Sequence, residues 1–110
     1  MELSSREYKR AIVLRVVGRV DANSAKHFEE EIQRHVTTGP SNLILELDSA
    51  DYLSSAGVRV LITAQKTLKQ RGGAVMLASP SERVREVMQM AGLDPLFPVY
   101  SDTETALGSI

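Results

Sequence analysis

Short segments of strand character alternate along this chain with longer segments whose apolar residues recur at helical spacing. Residues 11–17 are apolar and largely β-branched apart from Arg15, and residues 43–47, apart from Glu46, and 74–78 are similarly apolar. The two intervening segments carry apolar side chains every three or four positions, as amphipathic helices do. Strands that alternate with helices of this length need crossover connections, so the pattern predicts a mainly parallel sheet covered by helices.

The ends of the chain add elements to this alternation. A first strand is expected within residues 3–8, and a short last strand within residues 97–100, where Pro98 favours the edge of the sheet. We therefore predict one compact α/β domain over residues 1–110, with the order β-β-α-β-α-β-α-β-α. A mixed, mainly parallel sheet of about four or five strands, with about four helices, is expected.

Residues that commonly cap helices indicate four helix starts. Asp21 precedes the first helix, which would end near Gly39, and a polar corner over residues 48–55 precedes the second. Two capping-box spacings, at Ser79–Glu82 and Ser101–Glu104, precede the third and fourth helices. The side chains expected to face the core are Ala25, Phe28, Ile32 and Val36 in the first helix, Gly57, Val60, Leu61, Ala64 and Leu68 in the second, and Val84, Val87, Met88 and Ala91 in the third.

The charge balance and the lack of cysteine exclude several classes of function. Thirteen basic residues against fourteen acidic ones give a formal net charge of −1, so we expect no basic face that grips nucleic acid. Without cysteine the chain forms no disulfide, thiol nucleophile or thiolate metal site. The polar start, Met1–Glu7, and the short apolar runs predict neither a signal peptide nor direct membrane insertion, so we expect a cytoplasmic location.

Catalytic motifs are also missing from the sequence. His27, Glu31 and His35 form a column on the first helix, but its ends lie about 12 Å apart at a rise of about 1.5 Å per residue. One metal ion cannot reach all three, so we interpret the column as a solvated polar face. No nucleophile elbow, phosphate-binding loop or dinucleotide fingerprint occurs either. The sequence therefore predicts a protein that is not an enzyme and uses no metal or cofactor.

A Ser-Ser pair begins the second helix, directly after the polar corner. One serine is explained as the helix cap, whereas the other occupies the first helical position, where its hydroxyl tends to face solvent. Backbone N–H groups and the helix dipole favour an anion here, so Ser54 or Ser55 is a candidate phosphorylation site. Asp21, Asp48 and Asp51 are expected to converge nearby, because the ends of parallel strands meet at one edge of a sheet.

One turn further along, the second helix carries a small apolar stripe. Val58 and Ile62 are offset from the inward face, and Arg59, Lys66 and Lys69 lie on the outer side. Exposed apolar side chains beside a modifiable serine would form a docking patch for a partner protein.

Three segments carry residue patterns known from one protein family. The first is Tyr52–Leu61, which reads YLSSAGVRVL, and the second is the turn Gly18–Asp21, which reads GRVD. The third begins at Gly72–Val75, which reads GGAV, and continues through a Ser-Pro helix start to the pair Gly92-Leu93. In this order, and over nearly the whole chain, the segments resemble STAS domains, in particular the stand-alone bacterial anti-sigma factor antagonists.

This resemblance implies regulation by partner switching. In the family, the unphosphorylated antagonist binds an anti-sigma factor, which is also a serine kinase with a histidine-kinase-like ATP fold, and thereby releases the sigma factor. Phosphorylation by that kinase blocks binding, and a PP2C-type phosphatase reverses the modification. By the family's register the acceptor is Ser55, with Ser54 as the alternative. The partner-binding set that the resemblance implies is Asp21, Asp51, Ser54, Ser55, Ala56, Gly57, Val58, Arg59 and Ile62.

A second function stays open within the same family. The chain would then be the STAS subunit of a membrane transport complex, such as a lipid ABC transporter. Since no membrane anchor is expected in this chain, it would act through a partner ATPase. Neighbouring genes for a kinase and a phosphatase would favour the switch, whereas transporter genes would favour transport.

Overall fold

The computed structural model describes residues 1–110 and contains six strands, four α-helices and one 3₁₀ turn. The strands are β1 (Glu2–Glu7), β2 (Ala11–Val20), β3 (Asn42–Glu46), β4 (Ala50–Leu53), β5 (Ala74–Ala78) and β6 (Val99–Tyr100). The helices are α1 (Ala25–Thr38), α2 (Ser55–Gln70), α3 (Glu82–Met90) and α4 (Thr103–Gly108), and the 3₁₀ turn covers Asp94–Leu96.

The strands form one mixed sheet in the order β1-β2-β3-β5-β6. Strand β1 is antiparallel to β2, and the remaining pairs are parallel. The predicted α/β class, element order and edge position of the last strand are therefore confirmed. The additional strand β4 lies within the expected polar corner and pairs with the end of β2. Its four residues are too few to show a strand period: Ala50 and Leu53 are buried, Asp51 is exposed and Tyr52 is half-buried, so burial does not alternate.

Apolar side chains cover both faces of the sheet, since successive strand residues point to opposite sides. Helices α1, α2 and α3 pack on one face, over a cluster that includes Ile12, Leu14, Leu43, Leu45, Val75 and Leu77. Helix α4 packs on the other face, over Ala11, Val13, Ile44, Met76 and Ala78. Strands buried on both faces need apolar residues at every position, which is why the central strands read as continuous apolar runs.

The predicted core faces of α1 and α2 are confirmed, since every side chain or glycine expected there is buried. In α3, Val84 and Met88 are buried as expected. Val87, however, is only half-buried and Ala91 is exposed. Val87 still packs against the main core cluster while it also lines a surface groove. The prediction for Ala91 fails, because this residue follows the end of α3 at Met90 and lines the same groove.

The expected caps of α1 and α3 lie at other residues. Asp21 caps the turn before α1: its carboxylate accepts the backbone N–H groups of Asn23 at 3.0 Å and Ser24 at 3.1 Å, and Ser24 is the N-cap residue. Helix α3 is capped by Ser81 instead of Ser79, since the Ser81 hydroxyl accepts the N–H of the third helical residue at 3.3 Å.

The cap of α4 also differs from the expected one and lies one residue later in the chain. The carboxylate of Asp102, and not the hydroxyl of Ser101, accepts the backbone N–H of Thr105 at 2.7 Å. Each of these segments offers neighbouring polar residues that suit a cap, so packing of the helix selects one of them.

Glu46, at the end of β3, bonds to side chains of strand β1 and helix α4. Its carboxylate accepts two hydrogen bonds from Arg6, at 2.9 and 3.4 Å, and one from the hydroxyl of Thr103, while Arg15 lies 3.8 Å away. Burial by itself would raise the pKa of Glu46, but the hydrogen bonds from Arg6 and Thr103 outweigh it and hold the pKa below its ordinary value of 4.5. The carboxylate is therefore ionised in the folded protein at neutral pH.

Replacing Glu46 by Gln should lower the free energy of unfolding by about 1 kcal/mol at pH 7, a modest value because half of the Arg6 side chain is exposed. Since the folded-state pKa is lowered, the stabilisation is complete above the unfolded value of 4.5 and is lost as the pH falls through the folded value. Urea unfolding at pH 7 and at pH 3 measures this, and the gap between the two proteins should shrink at pH 3. An equal gap at both pH values would contradict the assignment.

Candidate functional site

The two serines at the start of α2 make different hydrogen bonds. Ser54 is the N-cap residue: its hydroxyl accepts the N–H of Gly57 at 3.2 Å, and its own N–H donates to the carbonyl of Val20 at 2.8 Å. Ser55 is the first helical residue, is exposed, and has a hydroxyl that makes no hydrogen bond within the chain. Ser54 therefore holds the helix end, whereas Ser55 presents a free hydroxyl to solvent.

Gly57 allows the start of α2 to approach strands β2 and β4 closely. A Cβ atom at this position would lie 2.7 Å from a methyl carbon of Leu53 and 2.9 Å from a methyl carbon of Val20. Both distances are well below van der Waals contact, and both side chains are buried. The glycine of the Ser-Ser-Ala-Gly segment is therefore required by packing, and this contact fixes where the two serines lie.

Of the three aspartates near α2, Asp48 and Asp51 line one hollow together with Glu82, but Arg19 and Arg83 line it too, so the corner has mixed charge rather than being purely acidic as we expected. Asp48 accepts a hydrogen bond from Arg15 at 3.1 Å, and a carboxylate oxygen of Asp21 lies 3.9 Å from Arg19. Asp51 is exposed and forms no ion pair. Two of the three negative charges are thus offset by arginines of β2. The pairing of Arg15 with Asp48 is concealed in the sequence because it spans 33 positions, whereas Arg19 and Asp21 are close in the sequence.

The carboxylate of Asp21 also accepts hydrogen bonds from the backbone of the turn before α1. The backbone N–H of Ser24 is the main cause of its lowered pKa, and the Ser24 hydroxyl and the N–H of Asn23 act in the same direction, partly offset by burial. Asp21 directly follows Val20, whose carbonyl accepts the hydrogen bond from Ser54. The aspartate therefore lies beside the start of α2 as an ionised group with a structural role.

The predicted partner-binding residues of α2 line three separate hollows instead of one patch, and Asp51 lines a fourth. Ala56 and Arg59 line a cleft of about 320 Å³ against α1, and Ile62 lines a hollow of about 470 Å³ against the 3₁₀ turn. Ser55 and Val58 line a third hollow, toward α3. Val58 is only 8% exposed and belongs to the main core cluster, and Ile62 is half-buried against that cluster. The expected exposed stripe of Val58 and Ile62 is therefore wrong.

The hollow between α2 and α3 is a groove of about 440 Å³. We name it the α2–α3 groove, and it is lined by Tyr52, Leu53, Ser55, Val58, Val87, Met90 and Ala91. Its far wall is held in place by Ser81, whose hydroxyl donates to the carbonyl of Ala50 in β4 at 2.7 Å. The sequence analysis missed this groove, although Val87, Met90 and Ala91 recur at helical spacing, because the same spacing also suits a core face.

The polar column of α1 differs in part from our interpretation. His27 is exposed, but the side chain of His35 is only 12% exposed and its Nε2 atom lacks a hydrogen-bond partner. Burial is the main cause of the lowered pKa of His35. The structure has no group of three His, Asp or Glu side chains placed to share a metal ion. None of its helices combines the length and the apolar character that a membrane span requires.

Comparison with known proteins identifies the family. The STAS domain family matches residues 2–106. BtrV of Bordetella bronchiseptica, which is named as a candidate anti-sigma factor antagonist, is 32% identical over 106 residues, covering 96% of this chain and 91% of BtrV. The chain therefore belongs to the STAS domain family, and its similarity to BtrV puts it among the anti-sigma factor antagonists.

Solved structures share the fold. The unphosphorylated anti-sigma factor antagonist SpoIIAA superposes with a TM-score of 0.83 and 22% identity, over 96% of this chain and 93% of SpoIIAA. The phosphorylated form of the Bacillus protein SpoIIAA gives 0.77 and 21%, with 98% of both chains covered. A sulfate transporter family protein from Wolinella succinogenes gives 0.76 and 17%, over 94% of this chain and 88% of that protein. At these identities the likeness concerns the fold alone.

Replacing Gly57 by Ala should lower the free energy of unfolding by about 1–2 kcal/mol. The added methyl group forces Leu53 and Val20 apart, which outweighs the gain of about 1 kcal/mol in helix propensity. Gly108→Ala, in α4, is the matched control, because a Cβ there meets no atom within 4 Å. Urea unfolding measures both variants, and equal stability of Gly57→Ala and wild type would contradict the packing account.

Proposed function

We propose that this chain is an anti-sigma factor antagonist that works by partner switching, with Ser55 as its phosphorylation site. The unphosphorylated form binds an anti-sigma factor that is also a serine kinase with a histidine-kinase-like ATP fold, and the sigma factor is released. The observation that carries the proposal is the unequal use of two adjacent serines. The hydroxyl of Ser54 is engaged as the helix cap, whereas the exposed hydroxyl of Ser55 is free to react.

The chemistry at Ser55 needs nothing from this chain beyond the hydroxyl. Its oxygen takes the γ-phosphoryl group of ATP, the bond from that group to ADP breaks, and the hydroxyl proton passes to a base of the kinase. The chain is thus a substrate and a ligand, and it acts as a regulator without catalysing a reaction or holding a cofactor. A metal-dependent PP2C-type phosphatase returns Ser55 to the free hydroxyl, and all these partners meet in the cytoplasm without nucleic acid.

Phosphorylation at Ser55 changes binding without unfolding the domain. The phosphoryl group adds about −1.5 to −2 charges at the positive end of the α2 dipole, where an anion is favoured. A partner that covers Ser55 must then remove water from this dianion, which costs several kcal/mol unless new ion pairs form. A tenfold loss of affinity corresponds to about 1.4 kcal/mol. To shift the ratio of bound to free chain from about 99:1 to about 1:99, phosphorylation must change the affinity by a factor of about 10⁴.

A second candidate is the STAS subunit of a membrane transport complex, such as a lipid ABC transporter. This candidate stays open because the same fold also occurs in a sulfate transporter family protein. It requires a partner ATPase, because this chain has no helix suited to cross a membrane. Copurification of transport subunits in place of a serine kinase would favour this second candidate.

Substitution of each serine tests the proposed function. The partner kinase is isolated from native cell extract on the immobilised wild-type chain, then supplied with ATP, and the acceptor is located by mass spectrometry. Ser55→Ala should keep wild-type affinity for the kinase and take up no phosphate, while Ser55→Asp should weaken binding at least about tenfold. Ser54→Ala should still be phosphorylated, although loss of the cap should cost about 1 kcal/mol of stability.

As a control, circular dichroism and urea unfolding check that each variant keeps the wild-type fold. If Ser54→Ala takes up no phosphate while Ser55→Ala is still phosphorylated, the acceptor is Ser54 instead of Ser55. A wild-type chain that neither retains a kinase nor takes up phosphate would overturn the proposed function.

A further inference from the structure

Strand β1 forms one edge of the sheet, and its outer side has no partner. The strand pairs with β2 over its whole length without a bulge, and it contains no proline. All of its residues are exposed except Leu3, which is half-buried against the main core cluster. A regular, uncovered edge of this kind can accept a further strand unless its own side chains prevent the pairing.

The backbone groups of β1 point alternately toward β2 and away from it. Directly after the strand, the N–H of Tyr8 donates to the carbonyl of Ala11 in β2 at 2.8 Å. Because this direction alternates from residue to residue in an antiparallel pair, the even-numbered residues of β1 bond to β2. The N–H and C=O groups of Leu3, Ser5 and Glu7 therefore point outward and are available to another strand.

Charge selects one register for pairing with a second copy of the chain. In an antiparallel pair of two β1 strands around a two-fold axis, the alternation places odd-numbered residues opposite odd-numbered ones and even opposite even. One such register places Glu2 opposite Arg6 of the second copy on both sides of the axis, with Ser4 opposite its own counterpart. Glu2 is exposed and forms no ion pair within the chain, and about half of the Arg6 side chain is exposed. Opposite charges that face each other across two strands stabilise the pair.

The helices leave room for a second copy at this edge. Helix α1 contacts β2, α2 contacts β5, and α4 contacts β3, β5 and β6, so the helices pack mainly over the other strands. In the paired form, two β1 strands would separate the two β2 strands, which would then lie about 14 Å apart at a strand spacing of about 4.8 Å. Since an α-helix is about 10–12 Å across, the two copies of α1 can lie side by side without overlap.

We propose that the free edge of β1 binds β1 of a second copy of this chain, antiparallel and with Ser4 at the two-fold axis. The two sheets then join into one, through backbone hydrogen bonds at Leu3 and Ser5 and through two symmetric pairs of Glu2 with Arg6. Because a single short strand from each copy buries little area, the dimer is weak, with a dissociation constant above about 10 µM. This interface is independent of the proposed function.

Single cysteines test the register, because the chain has none of its own. Ser4→Cys should form a disulfide-linked dimer under mild oxidation, since the Cα atoms of a facing non-hydrogen-bonded pair lie about 4.5 Å apart. Ser5→Cys is the control, because its Cα atom would lie about 9 Å from its counterpart, beyond the limit of about 7 Å for a disulfide. Cross-linking of Ser4→Cys should be at least about tenfold faster, and equal rates, or a faster rate for Ser5→Cys, would contradict the register.

Sedimentation equilibrium measures the dimer itself, with the fold of each variant checked by circular dichroism. Glu2→Arg should weaken dimerisation about tenfold, because it places two positive side chains opposite each other. Glu86→Arg makes the same change of charge at an exposed position of α3 and should stay within about twofold of wild type. Ser5→Pro should abolish the dimer and keep the monomer folded, because it removes an N–H group that β2 does not use.

Three results would overturn the interface. They are a wild-type chain that remains monomeric up to about 1 mM, equal effects of the two Arg variants, and wild-type dimerisation of a folded Ser5→Pro variant. None of them bears on Ser55 as the phosphorylation site, so failure of this interface and failure of the proposed function are distinguishable.

Discussion

The close approach of α2 to the paired ends of β2 and β4 determines the rest of the site. Gly57 permits this approach, because any side chain there would collide with Leu53 and Val20. The hydrogen bond from Ser54 N–H to the Val20 carbonyl fixes the helix end against the sheet. Once Ser54 serves as the cap, the residue after it must begin the helix with its hydroxyl outside, and that residue is Ser55.

Electrostatics near this helix end are nearly balanced before any modification. Arg15 and Arg19, both of β2, lie beside Asp48 and Asp21, so most of the local negative charge is offset. With a formal charge of −1 for the chain, one phosphoryl group of about −1.5 to −2 would roughly triple the net negative charge. We had expected repulsion from clustered aspartates to contribute. Because two of the aspartates are paired with arginines, the proposed function relies instead on the cost of removing water from the dianion at the interface.

The sequence was sufficient for the fold because the alternation of strands and helices leaves few topologies. It was also sufficient for the Ser-Ser helix start, where capping chemistry and the Gly57 position agree. It was insufficient for β4 and for the helix caps at Ser24, Ser81 and Asp102, since short elements and neighbouring polar residues offer several equivalent solutions.

Pairing across the sheet was equally hidden from the sequence. The contact of Arg15 with Asp48 joins residues that are 33 positions apart, and buried Gln65 bonds to Val75 and to Leu96 across α2, β5 and the 3₁₀ turn. The α2–α3 groove depends on where α3 ends relative to its own apolar stripe. Such features follow from tertiary packing, which a single sequence does not encode locally.

The affinity of one purified kinase for two forms of the same chain tests the central claim most directly. The wild-type chain, unphosphorylated or fully phosphorylated on Ser55, would be titrated into the kinase with ADP bound, under identical salt and pH. We predict that phosphorylation weakens binding by at least about 100-fold, or about 2.7 kcal/mol, with an unchanged fold. Equal affinities of the two forms would contradict a switch operated by Ser55.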